Sequence, residues 1–199
     1  MTRTSILLAL AISLGATAAA ADDSVLWKNV GDWEISIDTT INNGCYAVAS
    51  WNGGTVMRIG LNPQEDNFYM LIGNDKWTSL KPDQDYEIQI KFDNKAPWDV
   101  AAQGLQFNPG ETVYLHAEST KFDFIEEFMR LSNMKISYQG KEIDTLKLTG
   151  SSRAFKAVIA CQEEVDARGG VSGSDPFSGS SSPPAARTGR KSEDPFASN

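Results

Sequence analysis

Residues 22–165 of this chain are expected to form one mainly β domain, an antiparallel β-sandwich or barrel-like fold with two short helices, the C-terminal one packed on the sheet. Three observations point there. Several short stretches alternate apolar and polar residues, the period of a strand with one buried face. Turn signals built on Gly, Pro, Asn and Asp recur at short intervals, which suits hairpins rather than βαβ units. The 3.6-residue period of an amphipathic helix shows in two places, both late in the domain.

The strands begin near residue 32. Trp33-Glu34-Ile35-Ser36-Ile37-Asp38 alternates, with Trp33 on the apolar face. Cys45 to Trp51 and Thr55 to Leu61 flank Asn52-Gly53-Gly54, whose tolerance of positive φ makes a tight turn. Phe68 to Ile72 is apolar on both faces, as a central strand would be, and Gly73-Asn74-Asp75 ends it. Tyr86 to Asp93 alternates again, and Thr112 to Ala117 adds another strand. Lys81-Pro82-Asp83 and Phe107-Asn108-Pro109-Gly110 are turns between strands. Thr120 is placed to cap a helix in which Phe124, Phe128 and Leu131 share a face, with acids early and Arg130 late to match the helix dipole. A hairpin from Met134 to Leu148 pivots near Gln139-Gly140. A second helix follows Gly150, carrying Ala154, Val158 and Cys161 on one stripe.

The domain is flanked by two segments of different character. Met1 to Ala21 has a base at Arg3, an apolar run from Ile6 to Leu14 and a small-residue end at Ala19-Ala20-Ala21, the layout of a secretory signal peptide. The apolar run is shorter than the roughly 20 residues of a membrane-spanning helix. Residues 166–199 are rich in Gly, Ser, Pro and Ala and are expected to be disordered, since they hold too little apolar surface to offset chain entropy. Asp175-Pro176-Phe177 recurs there as Asp194-Pro195-Phe196, either a short motif displayed twice or a chance recurrence.

Export is expected to place the chain in the periplasm or outside a Gram-negative cell, with no integral membrane segment expected after signal removal. That compartment favours a disulfide between Cys45 and Cys161, the only cysteines, over two separate buried thiols. The formal charge is −8 and becomes −9 once Arg3 is removed with the leader. An acidic domain repels phosphate backbones and anionic lipid, which disfavours nucleic acid and is permissive toward a basic partner such as another envelope or secreted protein.

Chemistry is sparsely signalled, and no cofactor is implied. One histidine and two cysteines expected to be bridged do not make a zinc pattern. Asp83-x-Asp85 and Asp93-Asn94 are acidic turns without the calcium-loop spacing. His116 alternates with Tyr114 and Glu118 on an outward face and lacks an identifiable nucleophile partner. The candidate binding residues are Trp77 and Trp98, two of the five tryptophans, placed beside turns among Asn, Asp and Lys. Exposed aromatics in that setting stack on sugars or anchor partners, whereas buried ones plug the ends of a sandwich.

Gly31-Asp32-Trp33 opening a strand, Gly44-Cys45-Tyr46-Ala47, and a late Leu146-x-Leu148-x-Gly150-x-x-x-Ala154 running into a helix resemble the exported invasion-associated locus B proteins of alphaproteobacteria. The resemblance implies a small periplasmic or secreted β-sandwich protein closed by a C-terminal element, of poorly defined molecular function. The chain departs from that group in having Ile35 to Ile37 where a cysteine usually follows the opening tryptophan. The leading expectation is therefore an exported non-catalytic binding or envelope-associated protein. A hydrolase of envelope glycans using unidentified carboxylates, or a carrier of small ligands in the sandwich interior, are the alternatives.

Overall fold

Turn geometry sets the topology of this chain. The computed structural model describes residues 23–169; the leader, residues 1–21, and the tail from residue 170 onward lie outside them. In chain order the elements are β1 (Ser24–Val30), β2 (Trp33–Asp38), β3 (Gly44–Ser50), β4 (Thr55–Asn62), β5 (Asn67–Asn74), β6 (Asp85–Phe92), β7 (Trp98–Leu105), β8 (Tyr114–Ser119), α1 (Asp123–Arg130), β9 (Asn133–Tyr138), β10 (Lys141–Lys147) and α2 (Ser151–Ala167). All strands join one antiparallel sheet in the order β1-β2-β3-β4-β5-β8-β7-β6-β9-β10. The first five form a meander. The long segment from residue 75 to 84 then carries the chain past two strand positions, so β6, β7 and β8 run back until β8 pairs with β5. The β9–β10 hairpin turns where expected, at Gln139 (φ 50°) and Gly140 (φ 75°), the paired left-handed residues of a two-residue hairpin loop.

The sheet is not closed, but it folds over a single core. Indole donors of the first strands reach the last hairpin and the residues after it. Trp33 Nε1 donates to the Thr149 carbonyl at 3.0 Å and Trp51 Nε1 to that of Lys147 at 3.0 Å, while Thr55 donates to the Asp144 carboxylate. The two halves thereby enclose Ile35, Ile59, Ile72, Ile90, Phe92 and Ile136, all essentially inaccessible to water. Burying a side chain of that size contributes roughly 1.5–3 kcal/mol. Helix α1 inserts Phe124, Ile125 and Phe128, and Trp33 meets Phe128 edge-on at 5.7 Å.

Helix α2 lies on β1–β4 and buries Ala154, Phe155, Val158, Cys161 and Val165. Cys161 is bonded to Cys45 of β3, closing a loop with a sequence separation of 116. One turn of chemistry reinforces the bridge. The Cys45 backbone N–H donates to Gln162 Oε1 at 2.9 Å, so a side chain of the helix completes the hydrogen bonding of the strand it is tied to.

Four local expectations need correction. Strand β1 precedes the first strand read from the sequence, because a bulge between Leu26 and Lys28 breaks its period of two. Strand β7 escapes the pattern because Ala101, Ala102 and Gly104 give it little contrast; pairing with β6 and β8 on both sides makes it a strand. Thr120 does not cap α1. Phe122 holds the cap position without a side-chain hydrogen bond, and Thr120 contributes only its carbonyl, to the Phe122 N–H at 3.1 Å. At the other end, α2 runs on to Ala167, past the boundary read at residue 166, because Val165 is buried in its last turn.

Candidate functional site

The segment between β5 and β6 is long, yet its backbone is tightly fixed. Asn74 holds its start: Nδ2 donates to Thr55 Oγ1 at 2.8 Å, and Oδ1 accepts the Lys76 N–H at 3.0 Å. Successive turns follow, with Trp77 N–H bonded to the Asn74 carbonyl and Leu80 N–H to that of Trp77. The Tyr86 hydroxyl accepts the Lys81 N–H at 2.8 Å. Asp83 and Gln84 then exchange hydrogen bonds with Gly104 of β7, each 2.8 Å. Gly104 permits this contact, since a Cβ there would stand 2.0 Å from the Lys81 carbonyl oxygen.

This segment roofs a cavity of about 600 Å³, within the range of small-molecule sites. Its floor and walls are apolar. Trp77 and Leu80 come from the segment itself, Tyr86 and Ile88 from β6, Leu115 from β8, and Tyr138 and Ile143 from the final hairpin. Tyr86 and Tyr138 meet edge-to-face at 5.9 Å. The remaining lining residues, Lys76, Thr78, Ser79, Lys81 and Gln84, are exposed and form the rim. No Asp or Glu lines it. The arrangement can bury an apolar body and hydrogen-bond a polar group at its mouth.

Of the two tryptophans singled out in the sequence, Trp77 lies in this wall and Trp98 lies elsewhere. Neither is an exposed aromatic; both are partly buried and packed against the core. Trp98 Nε1 donates to Glu127 Oε2 at 2.9 Å and its ring meets Phe124 at 5.7 Å, so it fastens α1 to β7. A smaller recess of about 390 Å³ opens beside it, bordered by Asp123, Glu126, Glu127, Lys95 and Arg130.

The outer face of the sheet carries a cluster that sequence reading missed. The Arg58 guanidinium lies 3.6 Å from the Tyr46 ring centroid, donates from Nε to the Tyr69 hydroxyl at 2.7 Å and pairs with Asp38. Thr40 also donates to the Asp38 carboxylate. Burial alone would raise the Asp38 pKa, but the hydrogen bonds from Thr40 and Arg58 and the Arg58 charge outweigh it and hold the carboxyl below its usual range. Burial pushes the Tyr69 phenol well above its ordinary value. These four side chains stitch β2 to β5: Asp38, Arg58 and Tyr69 are joined through their polar atoms, while Tyr46 offers its ring face to Arg58 and its hydroxyl to Ser24. His116 is half-buried beside Tyr69 rather than on an open surface, with its ring centroid 6.3 Å away and Glu118 at 3.5 Å. Burial lowers its pKa, Glu118 opposing and the Arg58 charge adding to the effect.

The acidic turn at Asp93 is structural: its carboxylate accepts the backbone N–H groups of Ser132 (2.8 Å) and Asn133 (3.0 Å) and so positions β9. Among the described residues no group of three or more His, Cys, Asp or Glu is placed to hold a metal ion, and no helix is long and apolar enough to cross a membrane. No protein-family model, curated protein or solved structure matches the chain.

Proposed function

We propose that this chain is an exported binding protein, periplasmic or secreted, that holds a small ligand in the cavity beside Trp77. The observation that carries the reading is the division of that cavity into an apolar floor and a polar rim over a rigid frame. Preformed concave sites that bury most of a ligand against aromatic and aliphatic walls have this composition. The leader-like residues 1–21 and the Cys45–Cys161 bridge support an oxidising compartment. The resemblance to exported invasion-associated locus B proteins agrees with that placement. Binding is favoured over glycan hydrolysis because a glycosidase flanks its substrate with two carboxyl groups. Here no Asp or Glu lines the cavity, and of the acids at the recess beside Trp98, Glu127 is bonded to the indole.

Titration with a neutral fluorescent probe, N-phenyl-1-naphthylamine, tests the reading. One saturable site is expected, weakened about thirtyfold by Trp77→Ala, the loss of about 2 kcal/mol typical of a central aromatic anchor. Ile143→Trp, which fills the cavity, is expected to abolish it. Probe binding that ignores both substitutions in folded protein would overturn the assignment.

A further inference from the structure

The reading of this cavity as a ligand site leaves the ligand's chemistry open, and on that reading we infer that the ligand is an amphiphilic anion. Its single medium-sized apolar body lies against Trp77, Tyr86 and Tyr138, and its carboxylate or comparable monoanionic head sits between Lys76 and Lys81. Charge distribution is the first support. The chain has 26 Asp and Glu against 18 Lys and Arg, yet the lining of this cavity holds two lysines and no acid. The side chains lining the mouth are thus basic although the chain as a whole is acidic, with Asp75, Asp83 and Asp85 nearby but outside the lining.

The lysines are also poised to act. Among the described residues neither ammonium is in an ion pair; the pairs formed involve Arg58, His116, Lys135 and Arg168. Lys76 Nζ donates to the Gly53 carbonyl at 3.0 Å, which holds it at the rim and leaves two of its three donors for a ligand. Lys81 is fixed through its backbone, bonded to the Tyr86 hydroxyl and packed against Gly104. Lys81 thus lines the cavity from a fixed backbone. Thr78, Ser79 and Gln84 add hydrogen-bonding groups at the same level.

Size and charge then narrow the class. A cavity of about 600 Å³ suits one medium-length acyl or aryl body and is small for a two-chain lipid. A cationic head would face two ammonium groups. A neutral oil would leave both unused.

Calorimetric titration of the full mature chain with decanoate, decanol and decyltrimethylammonium, each kept below micelle formation, tests the class. Decanoate is expected to bind about tenfold more tightly than decanol at low salt, as two exposed ion pairs allow, with the advantage shrinking at high salt. Decyltrimethylammonium is expected to bind most weakly. In Lys76→Gln/Lys81→Gln protein, shown folded by circular dichroism, decanoate is expected to fall to the level of decanol. If decanol or the cation binds as tightly as decanoate while the neutral naphthylamine still occupies the cavity, the anion assignment is wrong and the cavity reading stands. If no amphiphile and no neutral probe binds, both are wrong.

Discussion

Removing the Cys45–Cys161 bridge with a double alanine substitution is expected to cost this domain a large part of its stability, chiefly through the unfolded chain. The bridge spans a sequence separation of 116. A closed loop of that length removes conformational entropy worth about 4–5 kcal/mol from the denatured ensemble. The folded state loses little in comparison. Helix α2 keeps its buried face and the 2.9 Å bond from the Cys45 N–H to Gln162, so the helix stays docked. Against a usual total of about 5–15 kcal/mol, the loss is roughly a quarter or more. It lowers the melting temperature by on the order of 10–20 °C for a domain of this size. Urea unfolding of oxidised, reduced and double-alanine protein measures it. The reduced and alanine forms should also show a larger m-value, because their unfolded chains expose more surface. A loss below about 1 kcal/mol with an unchanged m-value would refute the loop-closure reasoning.

Gly104→Ala is expected to destabilise the fold by several kcal/mol, since the new methyl would sit 2.0 Å from the Lys81 carbonyl oxygen. Any protein that survives should bind the naphthylamine probe poorly, because the segment roofing the cavity has shifted. Asp38→Asn leaves the Arg58 guanidinium without its counter-ion. With the two side chains only 12% and 17% exposed, a cost of about 2 kcal/mol at pH 7 is expected, below that of a fully buried pair. Because the folded pKa of Asp38 is depressed, its contribution is present above its unfolded pKa near 4 and is lost as pH falls through the lower folded value. Urea midpoints should accordingly fall more steeply below pH 4 in wild type than in Asp38→Asn. Trp98→Phe removes the bond to Glu127 and is expected to cost about 1 kcal/mol in urea unfolding without changing probe affinity at the Trp77 cavity.

Local signals in the chain were legible where one segment decides its own structure. The Asn52-Gly53-Gly54 turn, the Gln139-Gly140 hairpin and the stripe of Ala154, Val158 and Cys161 each depend on neighbours a few residues away. Phe68 to Ile72 was readable as central because burial on both faces removes the alternation. Strands β1 and β7 were not, one through its bulge and the other through its small residues. The cavity was legible only at Trp77. Its other walls come from Tyr86, Leu115, Tyr138 and Ile143, which the reversed order of β6, β7 and β8 and the return of the last hairpin bring together. No local pattern encodes that meeting. The Arg58 cluster is similar: Tyr46, Arg58 and Tyr69 each alternate outward on their own strands, and register alone places them side by side.

The most direct measurement is two-dimensional NMR of protein labelled at isoleucine and leucine methyls and at the indole nitrogens, titrated with decanoate. Occupation of the cavity is expected to shift Leu80, Ile88, Leu115, Ile143 and the Trp77 indole together along one binding curve, leaving the Trp98 indole and the Leu71 methyls of the outer face in place. Saturating decanoate that moves none of the cavity signals, or shifts that centre on Leu71 or Trp98, would contradict the assignment of this cavity as the ligand site.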